Sequence, residues 1–422
     1  MRIKSIKQLK SLWGKKILLR TDFNIPHEIK GRTFKIQDDY KIVMSLPTIR
    51  YLLRYRCKII IISHLEPSKN QIGTTKTKIG KEKDKKDLSL KPVSLKLSRL
   101  LGKKVKFIPD CLGEGVKDEV AGMKEGEILL LENLRFYAEE KNNDKVFAAK
   151  LASIVEGGKG IRHSLAKRIF GKESGLYIND AFAVSHREHA SLSAIKEYLP
   201  CYSGLLVEKE IKHLQRIINP EHPAIAVLGG AKISTKINLI KKLEKKFDYI
   251  LMGGGLANNF LQARGYEIGN SIVSPEDIAL AKKFKSKKII IPADVLVLDE
   301  KGNSCLKKIK EVKKKDVILD IGPETIKLYA SYIKSAKTLI WSGPLGKFED
   351  PRFKQGSLII ARTVASRSGG RAFGIAGGGE TFSVLKMTGM ENDVDWVSTG
   401  GGAMLAFLGG EEMPGLRGIF DF

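Results

Sequence analysis

Four clusters of glycine, each behind an apolar run, are the residues of this sequence best suited to bind phosphate. They are Gly229-Gly230, Gly253–Gly255, Gly377–Gly379 and Gly400–Gly402. Glycine after a buried strand lets backbone N–H groups approach an anion without a Cβ in the way, and a following helix N-terminus adds partial positive charge. A single cluster is more simply a tight strand-to-helix turn. Four in one half of the chain, with Lys232 and Lys236 beside the first, predict a surface that holds several phosphates.

The elements that must position these glycines follow from the alternation of apolar β-rich runs with amphipathic stretches, which predicts two doubly wound parallel sheets of the α/β class. Ligands are then expected at the carboxyl ends of the strands. The stretch Cys201–Asn219 has no strand run and predicts a helix that links the halves. Other predicted helices are Asp39–Arg54, Asp144–Val155 and Thr235–Phe247. The predicted strands are Lys16–Arg20, Lys58–Ser63, Lys104–Ile108, Glu127–Leu131, Leu176–Asn179, Ala224–Leu228, Tyr249–Met252, Lys288–Ile291, Thr338–Trp341 and Ala372–Ala376.

Length and composition limit the class of protein. With 422 residues, of which 42% are hydrophobic, the chain is long enough for two cored domains. No run approaches the roughly 20 apolar residues of a membrane span, so no membrane partner is expected. The four cysteines lie far apart, which predicts reduced thiols and a cytoplasmic protein. Residues 66–86 and 157–174 read as insertions.

The formal net charge of +27 is spread along the chain, and aromatic residues make up 7%. A nucleic-acid binder would concentrate lysines on one element and interleave aromatics for base stacking. No specific nucleic-acid partner is therefore expected, although weak nonspecific RNA binding would be a by-product of this charge. A basic surface also draws in anionic metabolites.

Nine motifs, in order along nearly the whole chain, resemble the phosphoglycerate kinase family. The resemblance implies two Rossmann-like domains joined by a helix, residues 1–203 with 404–422 and residues 204–403, with the active site in the cleft between them. It also implies phosphoryl transfer between 1,3-bisphosphoglycerate and ADP, giving 3-phosphoglycerate and Mg-ATP, by a protein that is usually monomeric. The motifs are Leu19–Pro26, Leu129–Tyr137, Asn179–Phe182, His186–Ser191, Leu228–Lys236, Asp320–Pro323, Trp341–Glu349, Gly377–Thr381 and Ser398–Ala403.

The resemblance places the glycerate in the N-terminal half. Arg135 and Arg187 would grip the 3-phosphate, since a guanidinium offers a bidentate fork to phosphate oxygens. Asp22 and Asn24 would bond the substrate hydroxyl and carboxylate, although capping the turn before Pro26 is nearly as attractive on sequence alone. The substrate-binding residues are then Asp22, Phe23, Asn24, Lys41, His64, Arg135 and Arg187.

The nucleotide belongs to the C-terminal half. Lys232 would contact the phosphoryl group during its transfer. Lys236, one helical turn further along the chain, would contact the nucleotide phosphates. Glu349 would accept bonds from the ribose hydroxyls, and Glu380 would be the carboxylate linked to Mg²⁺. The predicted nucleotide-binding residues are Gly230, Lys232, Lys236, Gly253, Gly254, Gly255, Glu349, Gly378, Gly379, Glu380 and Thr381. The predicted catalytic residues are Lys232, Lys41, Gly400, Gly401 and Gly402, the last three through N–H groups that stabilise charge.

Four departures from the family pattern bear on these roles. Lys41 stands where the family has an arginine, which keeps the charge but loses the fork and predicts slower turnover. After His64 the family carries Gly-Arg-Pro where this chain reads Leu65-Glu66-Pro67, so Lys69 or an insertion lysine would have to replace a phosphate-binding arginine. Ser342 replaces an asparagine, and Glu380 replaces an aspartate.

A second interpretation is a catalytically weakened relative kept as a binding protein with a basic, RNA-binding surface. The retained Lys232, Lys236, Arg135 and Arg187 argue against it, because a pure binder does not need all four. A P-loop NTPase is excluded by the lack of its motif, and a Rossmann dehydrogenase fits poorly because no Gly-x-Gly-x-x-Gly opens the first strand–helix turn.

Overall fold

The computed structural model describes residues 3–30, 33–67, 87–156, 175–230 and 232–421. The chain divides into two compact units, residues 1–211 with 413–422 and residues 212–412. The last segment joins unit 1 because Ile3 forms an antiparallel bridge with Phe420, and the N–H of Lys4 donates to the carbonyl of Ile419 at 2.8 Å. Apart from Glu66 and Pro67, the predicted insertions, with Lys69, lie outside the described residues.

Unit 1 is built on a six-stranded, all-parallel sheet in the order β5-β6-β4-β1-β7-β8, with β2 and β3 forming a separate antiparallel hairpin. The chain leaves β1 toward one side of the sheet and returns to its other side at β7, so these two strands flank the switch point of the sheet. The strands are β1 (Lys16–Arg20), β2 (His27–Lys30), β3 (Thr33–Ile36), β4 (Lys58–Ile62), β5 (Val105–Ile108), β6 (Ile128–Leu131), β7 (Leu176–Asn179) and β8 (Cys201–Ser203).

Strand β4 shows why the apolar runs become central strands. Its four isoleucines are fully buried, with Ile59 and Ile61 in one hydrophobic cluster and Ile60 and Ile62 in the other. Both faces of a parallel sheet are covered by helices, so a continuous β-branched run is stable there. The α-helices of unit 1 are α1 (Tyr40–Arg54), α2 (Lys91–Leu101), α3 (Glu114–Ala121), α4 (Ala138–Lys141) and α5 (Lys145–Ser153).

Unit 2 holds a second parallel sheet and a small antiparallel one. The parallel sheet has the order β11-β10-β9-β15-β16-β17, the 3-2-1-4-5-6 arrangement of a Rossmann fold, with its switch point between β9 and β15. The antiparallel sheet has the order β13-β12-β14. The strands are β9 (Ala224–Leu228), β10 (Tyr249–Met252), β11 (Ile289–Ile290), β12 (Asp294–Leu298), β13 (Ser304–Lys308), β14 (Val317–Ile321), β15 (Thr338–Ser342), β16 (Phe373–Gly377) and β17 (Trp396–Ser398).

Helix α6 begins in unit 1 and ends in unit 2. The remaining helices follow strands of unit 2 along the chain. Within the described ranges, no helix combines the length and apolarity needed to cross a bilayer. The helices are α6 (Leu205–Ile218), α7 (Ile237–Lys246), α8 (Gly254–Ala263), α9 (Pro275–Ala281), α10 (Pro323–Ser335), α11 (Gln355–Ser368), α12 (Gly379–Thr388) and α13 (Gly401–Gly409).

The predicted fold class, with two doubly wound parallel sheets, is confirmed, and all ten predicted strands are present with small shifts at their ends. One predicted helix was wrong over its first residues. The stretch Cys201–Asn219 is not helical throughout, because Cys201–Ser203 pairs with β7 as strand β8 and the helix begins only at Leu205. The β2–β3 hairpin, the antiparallel sheet and β17 were not predicted.

Candidate active site

Unit 1 gathers positive charge at the carboxyl edge of its sheet. His64 follows β4 and Arg135 follows β6, while Asp22 lies two residues beyond the end of β1. Because parallel strands end at the same edge, residues far apart in sequence meet there. Arg20, the last residue of β1, is also part of this group and was not selected from the sequence.

Arg20 is fully buried and contacts four groups at once. Its Nε donates to Ser191 Oγ at 2.8 Å, and its Nη1 donates to the carbonyl of Thr21. Its Nη2 lies 3.3 Å from His64 Nδ1 and 3.7 Å from Glu140 Oε1. Its sequence signal is its position at the end of an apolar strand, where a side chain is buried. A charged side chain is rarely buried without partners, so an arginine at such a position indicates a cluster of polar groups.

Both histidines of the cluster are neutral. Burial and the charges of the surrounding arginines and lysines hold the pKa of His64 well below its usual range and lower the pKa of His189 to about 3. His189 Nδ1 lies 3.3 Å from Nη1 of Arg135, much as His64 Nδ1 faces Arg20. A guanidinium only donates, so each Nδ1 accepts and the imidazole proton is on Nε2. The His64 Nε2–H is buried and has no hydrogen-bond partner in the described part of the chain.

The residues after β1 find their hydrogen-bond partners within unit 1. Asp22 Oδ2 pairs with Lys41 Nζ at 2.8 Å, and Asp22 Oδ1 accepts from the N–H of Asn24 at 2.8 Å. Phe23 is buried, and its N–H donates to Ser63 Oγ. These contacts agree with the turn-capping alternative, and the substrate roles of Asp22, Phe23 and Asn24 stay predictions.

Arg135 is buried and only partly satisfied. Its N–H is held by Asn133 Oδ1 at 3.0 Å, and its Nε pairs with Glu66 Oε1 at 3.0 Å. Its Nη2 is buried and has no hydrogen-bond partner among the described residues. Arg187 is exposed, and its charge contributes to the lowered pKa values of His64 and His189. The structure therefore brings Lys41, His64, Arg135 and Arg187 into one cationic cluster.

Unit 2 contains a cavity of about 380 Å³ at the switch point of its sheet. Its walls combine glycines from the turns after β9 and β10 with apolar side chains of β14, and its rim includes charged groups. Gly253 does not line it and serves close packing, since a Cβ there would lie 2.3 Å from Leu345 Cδ2. The other predicted residues that do not line it are Lys232, Lys236, Gly378, Gly379 and Thr381. The predicted residues on its walls are Gly230, Gly254, Gly255, Glu349 and Glu380.

The glycines of the first two clusters let the turns after β9 and β10 pack directly against the turn after β15. The N–H of Gly230 donates to the carbonyl of Pro344 at 3.1 Å, and that of Gly254 to the carbonyl of Leu345 at 2.8 Å. Gly343 has φ +95°, and a Cβ there would lie 2.5 Å from the carbonyl carbon of Gly229. This corrects the expectation that the N–H groups of Gly230 and Gly254 point toward a ligand, since both are satisfied within the protein.

The last two clusters bring two helix N-termini together. A Cβ on Gly401, the first residue of α13, would lie 2.8 Å from the Cα of Gly378, which caps α12. The first-turn N–H groups of both helices, including those of Gly379 and Gly402, lack intrahelical partners and give this point partial positive charge. The N–H of Gly400 instead donates to Ser398 Oγ at 3.3 Å.

Thr381, predicted to bind phosphate, is fully buried in the same region. Its hydroxyl donates to the carbonyl of Gly377 at 3.0 Å and accepts from the N–H of Gly343 at 2.8 Å. The side chain thus ties α12 to the turn after β15. Its role toward phosphate stays a prediction.

The two lysines behind β9 differ in environment. Lys232 is exposed, whereas burial lowers the pKa of Lys236 and the charge of nearby Glu380 opposes that shift. The Lys236 ammonium lies over the turn, 3.1 Å from where a Gly230 Cβ would be. The helical spacing expected for this pair was wrong, because both precede α7, which begins at Ile237. Within the described residues, no group of three histidine, cysteine or acidic side chains could hold a metal unaided.

A cationic cluster in unit 1 and a glycine-walled cavity in unit 2, each at the carboxyl edge of a parallel sheet, are features typical of an α/β phosphotransferase that binds a nucleotide. The family model described as phosphoglycerate kinase matches residues 6–411. The phosphoglycerate kinase of Dictyoglomus turgidum is 41% identical over 420 residues, covering 97% of this chain and 96% of the relative. That of Wolbachia pipientis from Culex pipiens is 42% identical over 419 residues and covers 97% of both chains.

A solved structure gives the same result. The phosphoglycerate kinase from Coxiella burnetii matches with a TM-score of 0.78 at 33% identity, covering 99% of this chain and 98% of that one. The chain belongs to the phosphoglycerate kinase family. The resemblance read from the nine motifs is confirmed, and so is the predicted enzyme class, a phosphotransferase with a carboxyl group as acceptor.

Proposed function

We propose that unit 1 holds 3-phosphoglycerate or 1,3-bisphosphoglycerate, that unit 2 holds ATP or ADP, and that the phosphoryl group passes directly, in line, between them. The observation that carries this assignment is the pair of unsatisfied buried donors in unit 1, Arg135 Nη2 and His64 Nε2–H. A buried donor without a partner costs about 1–3 kcal/mol, so ligand oxygens that accept from these donors are bound with a substantial gain.

The remaining cations of unit 1 suit an acid with two anionic groups, a carboxylate and a phosphate. Arg187 is exposed and offers its fork to the 3-phosphate together with Arg135. Lys41, already paired with Asp22, lies a quarter exposed and supplies a positive charge for the transferring group. The two neutral imidazoles add N–H donors without adding charge.

The nucleotide fits the cavity of unit 2 by chemistry. The apolar wall from β14 suits a purine, Glu349 on the rim suits ribose hydroxyls, and Lys236 with the converging N-termini of α12 and α13 suits the phosphates. Lys232 is exposed beside the same turn, and its ammonium group is proposed to contact the phosphoryl group during transfer.

Mg²⁺ would be held by Glu380 and the nucleotide's own phosphates. One exposed carboxylate at the start of α12, beside Lys236, fits this role because Mg²⁺ in kinases is bound through one or two carboxylates plus substrate oxygens. When bound, the ion neutralises charge on the phosphate oxygens. Glu380 would orient it.

No covalent intermediate on the protein is needed, because an acyl phosphate is already reactive. Catalysis then consists of positioning, charge neutralisation and exclusion of water. Since the two substrates are proposed on separate units, closure of the units is part of the cycle. The four free thiols support a reducing compartment such as the cytoplasm.

The test is a coupled assay with 3-phosphoglycerate and Mg-ATP on the whole chain and on Lys232→Ala. The proposal predicts a loss in kcat of about a hundredfold or more with little change in nucleotide affinity, as for removal of one group that stabilises transition-state charge. Lys245→Ala, an exposed lysine on α7, is the matched control and should behave as the parent. No turnover by the parent favours the binding-protein alternative. Equal turnover by the parent and Lys232→Ala would instead refute the role proposed for Lys232 and leave the kinase activity standing.

A further inference from the structure

Four cations lie around His64, namely Arg20, Lys41, Arg135 and Arg187, and three of them already face a carboxylate. Lys41 pairs with Asp22, Arg20 faces Glu140, and Arg135 pairs with Glu66. The first two carboxylates are nearly buried, whereas the Glu66 side chain is 27% exposed. Glu66 is therefore the one of the three that can leave its partner for solvent at low cost.

Glu66 occupies one of the two N–H donors on one edge of the Arg135 guanidinium. Nε and Nη2 point the same way and form the edge that binds a phosphate bidentately. Glu66 Oε1 takes Nε at 3.0 Å, Nη1 faces His189, and Nη2 is left buried without a partner. A phosphate that takes both Nε and Nη2 must displace the carboxylate, which would otherwise lie beside it with like charge.

Glu66 also has a second cation within reach. Its Oε1 lies 4.0 Å from Nζ of Lys141, a half-exposed lysine at the end of α4. Its backbone stays fixed, because the N–H of Glu66 donates to Asn24 Oδ1 at 3.0 Å. Only the side chain would have to swing, from the buried guanidinium toward the exposed ammonium.

We propose that Glu66 is a displaceable internal anion that occupies the phosphate-binding edge of Arg135 and competes with the substrate phosphate for it. Glu66 thereby sets the affinity of the glycerate site and favours highly charged ligands that can evict it. This inference rests on the proposed role of Arg135 in binding the 3-phosphate. The charge of Glu66 also opposes the lowering of the Arg135 pKa by burial, which shows that the two groups are electrostatically coupled.

The test is calorimetric titration of the whole chain with 3-phosphoglycerate, without nucleotide. Glu66→Gln keeps the size of the side chain and removes its charge, so its Kd should fall roughly three- to tenfold, the effect expected when an ion pair of intermediate burial no longer competes. Glu139→Gln, an exposed residue on α4, is the control for net charge and should leave the Kd within about twofold of the parent. A Kd for Glu66→Gln that is unchanged or higher overturns the proposal and makes Glu66 a support for Arg135.

Arg135→Lys separates the inference from the function on which it rests. Lysine keeps the charge and lacks the Nε/Nη2 edge, so Arg135→Lys should weaken binding and the gain from Glu66→Gln should largely vanish in that background. If Arg135→Lys binds as the parent does, the proposed role of Arg135 fails. If Arg135→Lys weakens binding and Glu66→Gln still gives no gain, only the competition fails.

Discussion

Nδ1 of His189 lies 3.3 Å from Nη1 of Arg135 in the interior of unit 1. The guanidinium donates and the imidazole accepts, so a neutral histidine holds a buried cation in place without cancelling its charge. The same arrangement recurs between His64 and Arg20. The cluster can therefore stay cationic toward a ligand while each imidazole keeps an Nε2–H to offer.

This relationship predicts a pH dependence that His189→Asn should remove. The pKa of His189 is lowered to about 3, against about 6.5 in an unfolded chain, so below pH 6.5 the unfolded state binds a proton that the folded state does not. The parent should therefore lose stability relative to His189→Asn as pH falls from about 6.5 toward 4, at up to about 1.4 kcal/mol per pH unit. Thermal unfolding of both proteins at several pH values measures it. A difference in midpoint that does not change with pH contradicts the neutral imidazole.

Asp320 predicts a pH dependence of stability with the opposite sign. It lines the cavity of unit 2, and burial raises its pKa to about 7 although Gly356 and Ile321 donate N–H groups to it. The folded state then holds a proton that the unfolded state releases near pH 3.8, so the stabilisation is present at low pH and is lost as pH rises to 7. Asp320→Asn, which does not titrate, should gain stability relative to the parent as pH rises from about 4 to about 7.

The negative charge of ionised Asp320 should also lower the affinity for a nucleotide. As Asp320 ionises, a negative group appears in the cavity proposed for the nucleotide, so ADP affinity of the parent should fall through pH 7 more than that of Asp320→Asn. Titration calorimetry at pH 6 and 8 compares them, and parallel profiles in the two proteins would refute the assignment.

The approach of Gly401 to Gly378 predicts that the first residue of α13 tolerates no side chain. A Cβ at Gly401 would lie 2.8 Å from the Cα of Gly378, whereas a Cβ at Gly379, the first residue of α12, meets nothing within 4 Å. Gly401→Ala should push the two helix N-termini apart and lower kcat by at least about tenfold, since misplacement of about 1 Å can cost that much. Gly379→Ala is the matched control at the equivalent helical position, and equal kcat values in the two variants would show that the convergence is not used.

The strands with continuous apolar runs were predictable from the sequence, because burial on both faces leaves a pattern that no exposed element shares. Strand β4, with its four isoleucines, is the clearest case. Strand β13 was not, since its five residues alternate between exposed and half-buried positions and include two lysines. The start of α7 was also placed too early, because Ser234 and Thr235 form a turn before the helix.

The candidate site was predictable where a short motif carries it and not where partners are distant in the chain. Arg135 and Arg187 came from motifs. Arg20 acquires its role from Ser191, 171 residues away, and no local pattern shows that contact. Glu66 likewise reads as the start of a polar insertion until its side chain is seen on Arg135, 69 residues on.

The central claim is that unit 1 binds the acid and unit 2 the nucleotide. The most direct measurement is the KM for 3-phosphoglycerate and the KM for Mg-ATP in Arg187→Ala and Glu349→Ala, both exposed residues whose loss leaves no buried hole. Arg187→Ala should raise the KM for 3-phosphoglycerate at least about tenfold and leave that for Mg-ATP near the parent's, as expected for loss of a charge-assisted phosphate contact, and Glu349→Ala should do the reverse. Arg187→Ala acting on Mg-ATP, or Glu349→Ala acting on 3-phosphoglycerate, would contradict the division of substrates between the two units.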